Sequence, residues 1–168
     1  MAFLDRRCPV CGLDPTTVRP PDAVVAIRSY PRRYRRLLVR LDDEEGAGVV
    51  TRRPGPGQWS ALEHAVYVAD VLEAVGRALE RVRVHDGPSI DIEVRAPGPE
   101  PVDAVLSRLE AASEHLASVA DAMAGKDWQR SGRVPAGEPV TALALLGHAV
   151  HVGAHHRREI ERVMATVR

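Results

Sequence analysis

Four of the chain's seven histidines fall close together, as His148, His151, His155 and His156. His151 and His155 are four residues apart, which on a helix is one turn, so both imidazoles can reach a single ion. A second candidate lies at the other end of the sequence. Cys8-Pro-Val-Cys11-Gly12 has the form of a zinc knuckle, with two thiolates on a tight loop and a glycine that lets the backbone fold back. A closed structural site needs four ligands and the chain has no second C-x-x-C. The missing two are expected from histidines of the same chain or from the equivalent cysteines of a second subunit. A redox dithiol and a relic knuckle without metal are the alternatives. A structural or vestigial role is favoured over a catalytic one, because no βαβ pattern surrounds the cysteines. Each histidine also has an ordinary reading, as a hydrogen-bonded core residue or as part of a solvated face among arginines.

These residues need elements to hold them. From Leu143 to Val167 the apolar positions Leu145, Leu146, Ala149, Val152, Ile160, Val163 and Met164 recur at three- and four-residue steps, the period of a helix with one apolar face. Thr141 can cap its start. His156 projects near the middle of that stripe, and His148, His151 and His155 project onto a flank shared with Arg158 and Arg162. A second helix opens at Trp59-Ser60-Ala61-Leu62-Glu63, where Ser60 and Glu63 have capping-box spacing. Ala61, Ala65, Val68, Leu72, Val75, Leu79 and Val82 then form a bundle seam. His64 projects close to the seam and Tyr67 to its edge, both near the helix start. A first helix is expected from Asp22 to about Leu41, kinked or split at Pro31, and a third from about Pro101 to Ala124, ended by Gly125. His115 on the third helix is expected to be exposed.

The links at 42–58 and 85–100 are long and rich in Gly and Pro. Ile90, Ile92 and Val94 alternate within the second link as a short strand or extended strip, and Trp128 in the last loop is expected to pack across the bundle end. The fold class is therefore all-α: a four-helix bundle over 22–168 with long inter-helix loops, one or two of which cross over, and an irregular N-terminal arm over 1–21.

Twenty-three basic and 23 acidic side chains cancel, which makes nucleic-acid binding or bilayer binding through bulk charge an unfavoured reading. The Arg32-Arg33 and Arg35-Arg36 pairs read as a solvated helix face, because no base-stacking aromatics surround them. No apolar run is long enough to span a membrane and no signal-peptide pattern is present, so a cytoplasmic protein is the expectation.

Two motifs and the architecture together resemble the DinB-like family, which includes metal-dependent thiol transferases that use bacillithiol or mycothiol. The Trp59-Ser60 opening of the second helix resembles the family's Trp-Ser/Thr motif, and His155-His156, followed by a basic residue, an acid and Ile160, resembles its closing motif. The N-terminal Cys-Pro-x-Cys-Gly followed by Asp14 is similar to that of one subgroup. The resemblance implies a metal-ligand histidine about eight residues into the second-helix motif. That position falls on Tyr67, with His64 three residues earlier. It also implies a pair of histidines one turn apart in the last helix. His151 with His155 keeps that spacing, whereas His156 has Val152 one turn before it.

Two functions follow as expectations. In one, His64, His151 and His155 (or His156) hold a zinc- or nickel-like ion that activates a low-molecular-weight thiol for transfer to a small substrate, with Tyr67 holding or polarising that substrate. In the other, the site has decayed and the bundle is a metal-free binding module or dimeric scaffold. The resemblance also implies a homodimer.

Overall fold

The computed structural model describes residues 6–45, 48–135 and 137–167, with the side chains of 40–45 left out. Four helices carry the fold: α1 (Pro20–Glu45), α2 (Ala61–Val84), α3 (Val102–Asp121) and α4 (Ala142–Val167). α1 packs on α3 and α4, and α2 packs on the same two helices. Helices consecutive in sequence, α1 with α2 and α3 with α4, thus stand across the bundle's diagonals. The links at 46–60, 85–101 and 122–141 are long enough to cross its ends.

The core is aliphatic, as the 4% aromatic content requires. Leu72, Leu79, Leu106, Leu109, Leu116, Leu145, Leu146 and Ile160 are among its fully buried side chains. Each such burial stabilises the fold by roughly 1.5–3 kcal/mol. α1 runs through Pro31 as one helix instead of splitting there. Two of its tyrosines tie it to α4. The Tyr30 hydroxyl donates to the Val150 carbonyl and the Tyr34 hydroxyl to the Gly153 carbonyl, both at 2.8 Å and both buried. Gly153 makes this possible, since a Cβ there would overlap the Tyr30 ring.

α2 begins as its sequence foretells. Ser60 Oγ accepts from the Glu63 amide at 3.2 Å and the Glu63 carboxylate accepts from the Ser60 amide at 2.8 Å. Arg53 pairs with the same carboxylate and ties the preceding loop to the helix start. Ile90 and Ile92, 1% and 3% exposed, press the 85–101 link onto the bundle as an extended strip outside the two strands that follow in the chain. The Ile90 amide donates to the Arg133 carbonyl at 2.9 Å. Arg133 belongs to a small antiparallel ribbon, β1 (Ser131–Arg133) with β2 (Pro139–Thr141), that the sequence reading did not foresee. Trp128 is buried beside α4, in a short 3-10 turn over Gly125–Gln129 that begins after α3 has ended. His115 is exposed, and no helix among the described residues is long and apolar enough to cross a membrane.

Candidate metal centre and adjoining pocket

The N-terminal arm folds back along α4. The Gly12 amide donates to the Cys8 carbonyl at 2.9 Å, and the Cys8 amide to the Leu13 carbonyl at 2.8 Å, closing a tight knuckle. Gly12 has φ +73°, a conformation in which a side chain is strained. Asp14 then caps a 3-10 turn, Pro15–Thr17, which rests on α4. The Pro15 carbonyl lies directly against Gly147, where a Cβ would collide with it. Gly147 thus lets the arm approach the helix closely, one turn before His151.

The knuckle thereby delivers its sulfurs to the helical pair. One ligating atom from each of Cys8, Cys11, His151 and His155 can be chosen so that all four lie within 4.8 Å of one another. Zn–S bonds of about 2.3 Å and Zn–N bonds of about 2.0–2.1 Å give tetrahedral edges of roughly 3.4–3.8 Å. Cys8 Sγ and His155 Nδ1 are 3.4 Å apart. His151 Nε2 is buried with no hydrogen-bond partner among the described residues. Burial pushes the Cys8 thiol up, but the backbone amides of Cys11 and Val10 outweigh it and hold it below its usual value. Burial raises the Cys11 thiol. Burial also lowers His151 and His155, which favours the neutral imidazole that a metal requires. The donor set fits a zinc-type ion.

A different arrangement lies next door. His156 looks into the bundle and meets His64 of α2, Nδ1 to Nδ1 at 2.8 Å. Two imidazoles on one tetrahedral ion stand about 3.4 Å apart, whereas 2.8 Å is an ordinary hydrogen-bond distance. One ring donates and the other accepts. Burial pushes His64 down to about 4 and His156 down to about 3, so both are neutral at pH 7. The position one turn before His156 is Val152, which offers no ligand. Trp59 closes this corner, with ring centroids 5.4 Å from His64, 5.1 Å from Tyr67 and 6.1 Å from His156.

The set His64, His151 and His155 is therefore divided: His64 pairs with His156, while His151 and His155 go with Cys8 and Cys11. The two corners still touch, the rings of His155 and His156 being 5.1 Å apart. Between α2, α4 and the 85–101 link is a pocket of about 440 Å³ lined by Tyr67, Glu93, Val94, Val152 and all four α4 histidines. His148 keeps the flank that it shares with His151 and His155, lining the pocket with them, but it is buried there instead of solvated. It is 5% exposed, and burial pushes it down to about 4. Glu93 was not anticipated as a pocket residue. The alternation of Ile90, Ile92 and Val94 marks the apolar positions of the 85–101 link and gives no role to the residue between them.

The family model described as the DinB superfamily matches residues 26–160. No curated protein matches the chain. Among solved structures, YfiT from Bacillus subtilis, described as a probable metal-dependent hydrolase with an unusual four-helix bundle topology, matches with a TM-score of 0.73 at 14% identity, over 86% of this chain and 85% of that one. At that identity the likeness speaks for the fold.

Proposed function

We propose that this chain, which belongs to the DinB superfamily, is a zinc protein. In this reading Cys8, Cys11, His151 and His155 hold one ion, and the pocket beside them takes a small molecule. The observation that carries it is the convergence of four ligating atoms, from a C-x-x-C knuckle and an i, i+4 histidine pair, within 4.8 Å. Two thiolates and two neutral imidazoles balance the charge of a divalent ion and fill a tetrahedral shell, the pattern of a structural site. Held so, the arm is fastened to α4 and the rings of His151 and His155, which are also pocket walls, are fixed in place. His64 on α2 and His156 on α4 are left as a hydrogen-bonded pair, with Val152 standing one turn before His156.

Thiol transfer, with mycothiol or bacillithiol as the low-molecular-weight thiol, is a second reading. It is supported by His151 and His155 belonging to both the cluster and the pocket wall. A divalent ion lowers the pKa of a thiol that reaches it. With four chain ligands in place, one of them must yield for that to happen. Tyr67 then holds the substrate from the α2 side. A homodimer in the cytoplasm completes the proposal.

Zinc analysis after reconstitution and desalting tests the first reading, with about one equivalent expected per chain. Cobalt in place of zinc should show the intense visible bands of a tetrahedral site with thiolate charge transfer. Less than roughly a fifth of an equivalent after reconstitution overturns it. Thiol consumption with an electrophile such as monochlorobimane tests the second, and no turnover above the uncatalysed rate ends it.

A further inference from the structure

The pocket wall carries a charge that the chain leaves unanswered. Glu93 lines it, yet no arginine or lysine does, and among the described residues no ion pair to the Glu93 carboxylate is found. Glu93 is exposed at the pocket rim, and Ile90 and Ile92 anchor the link just before it by burying their side chains. The same pocket is lined by the rings of Tyr67 and His156, with centroids 4.9 Å apart, and Trp59 packs against both. Val94 and Val152 are the aliphatic part of the lining.

The outer groove between α1 and α3 is unlike this. There Arg28, Arg32 and Arg35 face Glu110 and Glu114, and Arg28 already bonds Glu114. In that groove acid and base answer each other within the chain, whereas in the pocket they do not. The inference rests on the zinc reading in one respect: an ion with two thiolates and two imidazoles carries no net charge, so it leaves Glu93 as the one formal charge on the wall.

A carboxylate and aromatic rings lining one pocket, with no cation among them, is the chemistry that recognises an organic ammonium group, by direct Coulomb attraction and by the negative face of an aromatic ring. An anion would meet Glu93 with no cation to offset it. We propose that the pocket between α2, α4 and the 85–101 link binds a small organic cation, its ammonium group seated between Glu93 and the faces of Tyr67 and His156. The size of the pocket, about 440 Å³, suits a ligand of modest size.

The test is calorimetric titration of the full chain with choline and with 3,3-dimethyl-1-butanol, the uncharged molecule of the same shape, at low ionic strength, with zinc content measured on the same samples. Choline should bind at least about tenfold tighter than its neutral counterpart. Glu93→Gln should erase that preference, and Tyr67→Leu should reduce it. Equal binding of the two molecules, an undiminished preference in Glu93→Gln, or no saturation by choline below roughly 50 mM overturns the proposal. A sample that stays without zinc after reconstitution and still prefers choline sinks the metal reading and leaves this one standing. A zinc-loaded sample without the preference does the reverse.

Discussion

Two pairs of imidazoles on or beside α4 lie a single residue apart and keep different company. His151 and His155 turn toward the arm and meet two sulfurs, with all four ligating atoms within 4.8 Å. His156 turns toward α2 and meets another imidazole at 2.8 Å. Burial lowers every one of these histidines, so both corners favour neutral rings. What separates them is the partner that each neighbouring element brings. Thiolates need a cation between them and the rings, whereas two neutral rings satisfy each other by sharing a proton.

The comparison breaks if the corners prove to be one site. Cys8→Ser should weaken zinc binding by two orders of magnitude or more, while His64→Ala should keep about one equivalent. Competition against a chromophoric chelator measures both. If His64→Ala loses the metal as fully as Cys8→Ser, the division described above is wrong.

The buried neutral rings also make the metal-free fold sensitive to acid. His148 and His64 are each held near 4 in the folded chain, below the usual value of about 6.5 of an unfolded histidine. As pH falls through 6.5 the unfolded chain takes up protons that the folded chain refuses, so stability falls with pH and the loss levels off near 4. After discounting His64 for its partial exposure, the melting temperature of the metal-free protein should fall by roughly 10 °C between pH 7 and pH 5. A flat melting temperature over that window would mean that these rings are wet.

The smallest effect sharpens the contrast most. Gly147→Ala places a methyl against the Pro15 carbonyl and must lift the arm. Zinc affinity should drop by about tenfold, since ligands displaced by fractions of an ångström lose geometry before they lose contact. The His64–His156 pair, on another face, should be untouched, and an unchanged near-ultraviolet signal from Trp59 would report that. Equal zinc affinity in Gly147→Ala and the parent chain removes the arm's close approach as a determinant of the site.

Much of this was open to reading along the chain. Periodicity marked all four helices, because a helix must present apolar side chains every three or four residues to bury them, and Ser60 with Glu63 announced the start of α2 by local hydrogen bonds alone. The spacing of His151 and His155 marked a ligand pair, and the knuckle marked another. Which pair joins which was not local information. It depends on the arm crossing α4 at Gly147 and on links long enough to place α2 beside α4, contacts between residues 92 to 147 positions apart. The burial of His148 was not local information either. A helical projection gives an angle around one axis, and only the packing of α4 against its neighbours decides how wide an arc is buried. By itself the sequence determined the rods, their apolar faces and the two kinds of ligand. Tertiary structure alone decided that sulfur meets imidazole on one side of α4 and imidazole meets imidazole on the other, because side-chain chemistry is local while proximity is a property of the whole chain.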